Sequence, residues 1–493
     1  LVIRFFFILF FCLLPAPFFA ADFNLSKVFV WDGITSQPYL ASLHIQGDSI
    51  KKIVKETSSP VSKGKFEGMY VIPGLINAHV HLLNTAACRA GYGFTPWTAL
   101  ENLTALHQSG FTTVADMGAW PVLLGKIRVW ADQNPQKSSR VVFAGPVMTI
   151  AKGYPDNWMP AVSRMVGAIA LVDAQNAKQV VHQTKQSGAS HIKVALQEKS
   201  FGGNPIPMMD EETLFTLIDA AHGEGLPLFS HALTIQGYEA GIKMGVDAFI
   251  HSPLEELTPQ LIDQLATKQI PIIPTVWIWK SPWAVPEEEK AHLRFYQSFV
   301  TNKIAKQREN YLKDYFTTED FPSYLMEETG VSKIAAKKNY EAQKRNLERL
   351  RGKNAFFVFG TDAPYCFDMA GDSYKEMLEL KKIGFTNEQI LLMATLHAAF
   401  MLKLPLLGSL APGQKADMVI LNGNPLEDLS VLRDPVAVVR DGEISYGKNK
   451  ITWNEKVKSI LFFAQAAIET IGERLSVKVF EKGLDARRAT EAD

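Results

Sequence analysis

Eight apolar, β-like runs recur along the middle of the chain, each followed by a helical pattern. They are Val71–His81, Phe111–Met117, Val141–Met148, Ile192–Leu196, Pro227–His231, Ala248–His251, Ile270–Trp277 and Ala355–Asp362. Strands that alternate with helices must pair in parallel, because each helix carries the chain back before the next strand begins. Eight such units over roughly 300 residues fit a closed (β/α)8 TIM barrel, for which ~250 residues is typical. An open doubly wound sheet is the alternative. It is disfavoured because no glycine-rich phosphate fingerprint follows the first run.

The flanks read differently. FNLSKVFVWDG, YLASLHIQGD and SIKKIVKE near the start, and KADMVILNGNP and VAVVRDGEISY near the end, alternate with period two. They predict a small β-sandwich domain built from both chain ends, over 22–70 and 406–450, around a barrel at 71–405. Charged and aromatic residues at about 286–324 read as an insertion ahead of a helix at Lys333–Leu350. In a C-terminal helical extension over 451–493, Val457, Ile460, Leu461, Ala464, Ile468, Ile471 and Leu475 share one helical face. That face reads as the one packed on the barrel, with a contact between copies in a homo-oligomer as the second reading.

Residues 1–21 stand outside the fold. Arg4, an uncharged run from Phe5 to Leu14, then Pro15, Pro17, Ala20 and Ala21 read as a secretory signal peptide. The alternative is an uncleaved anchor, although ten apolar residues fall short of the ~20 that span a bilayer. The expected chain is therefore exported, periplasmic or secreted, with no membrane role once mature. Lys plus Arg and Asp plus Glu both number 51, so there is no basic footprint for nucleic acid. Three cysteines are too few for a disulfide scaffold.

The chemistry sits at the ends of the runs. His79 and His81 are two apart on the first strand, so both imidazoles share a face and point into the barrel at its C-terminal mouth. His231, His251 and Asp362 end runs five, six and eight. One metal-capable residue at such a position arises by chance; five on one rim do not arise from packing, since unpaired polar groups in an apolar barrel are costly. Lys193 lies inside run four, between Ile192 and Val194. It reads as an internal salt bridge, as an outward lysine, or as a neutral amine whose pKa burial depresses and which captures carbon dioxide. Six other histidines (His44, His107, His182, His222, His292 and His397) lie away from the ends of the eight runs. Trp277, Trp279 and Trp283 follow run seven, as packing or as a pocket wall.

The set VIPGLINAHVHL, GFTTVADMG, HIKV, SHA, IHSP and FGTDAP, in that order, with the closing GSLAPGQKADMVILNGNPL, resembles the amidohydrolase superfamily. It is similar above all to the branch of imidazolonepropionase and the Xaa-Pro dipeptidases. The resemblance covers nearly all of 25–446. It implies a first metal on His79, His81 and Asp362, a second on His231 and His251, and a Lys193 carbamate bridging them. The divalent metals would be zinc, with manganese, cobalt or iron compatible. It implies a hydrolase that cleaves the carbon–nitrogen bond of a small-molecule amide, peptide-like or cyclic amide substrate, with Asp362 moving the proton. Imidazolonepropionase is similar but holds one metal and lacks the lysine. A mononuclear deaminase and a non-catalytic exported binding protein on this scaffold are the competing readings. Finally, Cys88 and Cys366 lie in the loops leaving strands one and eight, neighbours in a closed barrel, and offer a candidate disulfide in an oxidising compartment, with two free thiols, or Cα atoms too far apart to bridge, as the alternatives.

Overall fold

A computed structural model describes residues 22–57, 64–85, 95–159, 161–281, 332–365, 368–447 and 449–490. The expected signal at 1–21, the insertion at 286–324, Trp283, His292, Cys88 and Cys366 lie outside the described residues.

Sixteen strands are present among the described residues. Four come early: β1 (Phe23–Val30), β2 (Tyr39–Gln46), β3 (Ser49–Lys55) and β4 (Tyr70–Pro73). Three come late: β14 (Met418–Leu421), β15 (Ala437–Arg440) and β16 (Glu443–Ser445). Together they form one seven-stranded sheet in the order β16-β15-β14-β4-β1-β2-β3. In place of the two facing layers of a sandwich, β4 joins both chain ends in one ladder, antiparallel to β14 and parallel to β1. The sheet also coils: Ile50 N–H donates to the Gln414 carbonyl and Ala416 N–H to that of Asp48. Its inner face gathers Leu25, Val28, Val30, Leu43, Val71 and Ile420 into a core of its own. The alternation of apolar and polar residues along β1 sets which side chains face that core.

The run 71–81 is thus not one strand. It divides at Gly74 between β4 and β5 (Leu75–Val80). A Cβ at Gly74 would sit 2.2 Å from Thr112 Oγ1, so only glycine allows the crossing there.

Parallel strands fill the middle. β5, β6 (Phe111–Asp116) and β7 (Arg140–Phe143) make a three-stranded sheet. A six-stranded sheet runs β13-β12-β11-β10-β8-β9, where β8 is Val147–Thr149, β9 Ile169–Leu171, β10 Ile192–Ala195, β11 Leu228–His231, β12 Ala248–Ile250 and β13 Ile272–Ile273. The third run therefore splits: β7 pairs with β6 and β8 with β10, on either side of Gly145 at φ +78°. The edge strand β9 has no counterpart in the sequence reading. Run seven is shorter than expected; after two strand residues, Thr275 adopts φ +48° and Val276–Lys280 turn into a helix. Run eight bonds to both sheets: Val358 N–H donates to the Ile272 carbonyl, Ala78 N–H to that of Phe359, and His81 N–H to that of Ala363.

Helices cover the outside, several with a capping hydroxyl or carboxylate at the first turn. Asp210, Thr234, Thr258 and Ser332 each accept a backbone N–H three residues on. The helix expected at Lys333–Leu350 spans Lys333–Gly352. The C-terminal helix spans Trp453–Thr490.

Candidate metal centre

Strand ends deliver the polar side chains to one place. His79 on β5 and His81 just after its end bring their Nε2 atoms within 3.4 Å of each other. Asp362 follows run eight. Its Oδ1 is 3.2 Å from His79 Nε2 and 3.1 Å from His81 Nε2, and its Oδ2 is 4.0 Å from His251 Nε2. One ligand atom each from His79, His251 and Asp362 falls within 4.8 Å of the others, a spacing one ion can bridge. His251 follows β12, and its ring centroid is 4.6 Å from that of His231 at the end of β11.

The backbone enforces this convergence. Both Thr361 and Asp362 N–H groups donate to the His79 carbonyl, and Asn77 Nδ2 donates to Thr361 Oγ1 at 2.9 Å. A Cβ at Gly360 would stand 2.8 Å from His79 Cβ, so strand eight reaches strand one only without a side chain there. His251 and Asp362 hold φ of +73° and +66°, a left-handed backbone that non-glycine residues adopt at a cost of ~1–3 kcal/mol.

Three ring nitrogens are held. His81 Nδ1 is 3.2 Å from the Gly118 carbonyl, His251 Nδ1 is 2.7 Å from Thr275 Oγ1, and His231 Nε2 is 2.7 Å from Gln197 Oε1. Such partners fix ring orientation around a metal. Lys193, on β10, is buried. Among the described residues its Nζ has no hydrogen-bond partner, which sets aside both the salt bridge and the outward lysine. Burial pulls its pKa down to about 7, against an opposing pull from Asp362. Its charge acts in turn on His79, His81, His231 and His251. Burial also lowers His79 to about 4, so that ring is neutral and able to ligate. For Asp362, burial alone would raise the pKa, but the histidines His79, His81 and His251 outweigh it and hold the carboxylate ionised.

The structure thus gathers His79, His81 and Asp362 at hydrogen-bonding range, with His251 4.0 Å from Asp362, His231 ring-to-ring beside His251, and Lys193 in their field. Several neighbours carry no signal in the sequence reading. Gln197 follows β10 by two residues, and Asn77 is two residues before His79. Tyr154, inside the loop 151–160, stacks on His231 at 4.3 Å. Trp279 stands edge-on to His251 at 6.1 Å, as a pocket wall would. Trp277 is buried, with Lys375 Nζ 4.8 Å from its ring centre, and serves packing. Glu376 accepts the Val276 and Trp277 N–H groups, anchoring the turn after β13.

Residues 70–445 match the sequence model of the Amidohydrolase family. The chain belongs to the amidohydrolase family. That is a family of hydrolases. A dihydroorotase of Ruminiclostridium cellulolyticum is 26% identical over 203 residues, 39% of this chain. The chain spans about two fifths of that relative's length, 41%. Among solved structures, a Xaa-Pro dipeptidase with methionine bound in its active site superposes with a TM-score of 0.68 at 22% identity. It covers 87% of this amidohydrolase and 100% of that chain. Molinate hydrolase (0.65, 18%, 87% and 95%) and the ochratoxinase of A. niger (0.65, 16%, 87% and 96%) share the fold equally. Three differently named hydrolases at nearly equal similarity mean that the fold alone does not select a substrate.

Proposed function

We propose that this amidohydrolase is an exported, metal-dependent enzyme that hydrolyses a carbon–nitrogen bond in a small amide, peptide-like or cyclic amide substrate. One observation carries the reading: His79, His81, His251 and Asp362 converge beside a buried Lys193 amine that has no hydrogen-bond partner among the described residues. The scaffold would be a closed (β/α)8 barrel. Supporting closure are the bonds from run eight to both parallel sheets and the third strand shared between them. No helix of the described residues is long and apolar enough to cross a membrane.

The donors present fit divalent ions. Four imidazoles and a carboxylate suit zinc, with manganese, cobalt or iron compatible. His79, His81 and Asp362 would hold one ion, His231 and His251 a second. Bound there, divalent metal supplies hydroxide at neutral pH and polarises the substrate carbonyl. Lys193, with its pKa near 7, offers a neutral amine to carbon dioxide. The new N–C bond would release one proton and leave a carbamate, which would add oxygen donors to the set that holds the metal. Asp362 accepts the proton of the attacking water and passes it to the departing nitrogen. Tyr154 and Trp279, against His231 and His251, would wall the substrate side.

A mononuclear centre is the second reading, favoured by one contact: Gln197 Oε1 engages the His231 nitrogen that a second ion needs. Elemental analysis after mild purification separates the two. About two ions per chain is expected. One ion, unchanged by added metal and bicarbonate, establishes the mononuclear site. Turnover of the metallated protein on dipeptides, N-acyl amino acids, lactams and lactones then identifies the bond cleaved. No turnover across that panel would favour the binding-protein reading.

A further inference from the structure

The C-terminal helix Trp453–Thr490 has two faces, with side chains described as far as 472. One face is docked. Glu455 pairs with Lys137 at 2.5 Å, Lys456 with Glu101 at 3.5 Å and Lys126 with Glu469 at 2.7 Å. Ser459 and Ala466 are buried, Phe463 meets Trp120 edge-on at 5.4 Å, and Trp120 Nε1–H donates to Thr470. The other face is the apolar one, and it points outward. Trp453, Val457, Ile460, Leu461, Ile468 and Ile471 are each between 39% and 74% exposed. The stripe read from the sequence as packed on the barrel is therefore turned away from it.

We infer that this stripe is the contact between two copies of the chain, packed helix against helix about a twofold axis. Its spacing is the first reason. Val457, Leu461, Ala464, Ile468 and Ile471 follow steps of four, three, four and three. That is the 3.5-residue repeat with which one helix seats its side chains between those of another. Charge is the second. Between 453 and 472 the charged residues are Glu455, Lys456, Lys458 and Glu469, and all but Lys458 are committed to ion pairs across the docked face. The stripe is uncharged and matches itself, as a twofold contact requires. A lipid surface would instead select an apolar face backed by several free Lys and Arg, whereas between 453 and 472 the lysines are Lys456, paired with Glu101, and Lys458. The chain has 51 positive and 51 negative side chains, so two copies do not repel at a distance. Extent is the third. Trp453 to Ile471 span about 27 Å at ~1.5 Å per residue. That supplies the central strip of the ~800 Å² per partner buried in a stable pair. The helix lies beyond residue 445, where the family match ends.

The test is the solution mass of the full chain by light scattering at micromolar concentration, for wild type and for the double variant Leu461→Glu with Ile468→Glu. Wild type is expected at the mass of two chains. Opposed carboxylates in an apolar seam should weaken the pair by at least ~100-fold and give the mass of one. Metal content and the thermal midpoint extrapolated to the monomer should stay unchanged. A single-chain mass for wild type overturns the inference, as does a dimer that survives both glutamates. Sedimentation with phosphatidylcholine–phosphatidylglycerol vesicles covers the other occupant. Wild type should stay in the supernatant. A wild-type monomer that pellets, and a double variant that does not, replaces the second copy with a lipid surface.

Discussion

Two of the buried charge sets among the described residues are built on opposite plans. At the seam between the parallel strands and the seven-stranded sheet, Arg140 donates to Asp417 and Asp441, each at 2.6 Å, and to Thr113. Arg440 donates to the Ala131 and Ser138 carbonyls and to Asp132. Burial would raise the Asp417 carboxyl, but Arg140 holds it down. At the strand mouths the donors and acceptors are equally buried, yet Lys193 Nζ and His79 Nδ1 lack hydrogen-bond partners among the described residues. Burial with a charged partner fixes two parts of a fold together; even Arg440 Nε, which makes no hydrogen bond, stands 3.3 Å from Asp441 Oδ2. Unsaturated burial costs stability, and it persists where a ligand supplies the missing partner.

The largest test of that contrast is Lys193→Ala. If the unsaturated amine exists for a ligand, the variant loses metal and essentially all turnover, and propionate or acetate restores part of both. Normal metal content and rate would make Lys193 structural. Asp362→Asn comes next. It should keep at least one ion and lose ~10²–10⁴-fold in turnover, because an amide does not shuttle the proton. Steady-state rates within a few-fold of wild type would assign proton transfer elsewhere. At the seam, Arg140→Met should leave the rate per folded molecule unchanged but cost about 3–5 kcal/mol in urea unfolding, since Asp417 stays buried without its partner.

A pH series sharpens the same comparison. Lys193 titrates near 7 in the folded chain against 10.5 for the free side chain. Between those values the unfolded chain binds more protons, so the stability of metal-free, carbonate-free protein rises with pH across that window. Below about 7 both states are protonated and the penalty is at full size. Lys193→Met should flatten the rise; an unchanged slope would place its cause elsewhere. Smallest is Thr234→Ala, which removes the cap on Ile235–Met244 and should cost ~1 kcal/mol with no change in metal content, read by the same unfolding curves.

Where sequence and structure part, local pattern and tertiary geometry have separated. The strand ends carrying His79, His231, His251 and Asp362 were legible because apolar runs stop where polar residues begin. Gln197 and Tyr154 were not, because they reach the centre from loops whose path no periodicity records. The heptad on the last helix revealed a helix with an apolar face but not which way that face points. The docked side is made of Ser459, Ala466 and Thr470 with Phe463, a pattern too mixed to read as buried. The run from 71 to 81 looked continuous because hydropathy does not show that Gly74 marks a change of sheet.

The placement of β4 between β1 and β14 also sets a clock. Pro73 pairs with Met418, so the strand edge made at the start of synthesis waits for a partner roughly 350 residues further along. At ~5–20 residues per second, that edge stays open for about 20–70 s on the ribosome. During that interval Tyr70 and Ile72 present unpaired backbone that any neighbouring strand can take up, and holding them apart falls to whatever escorts the emerging chain.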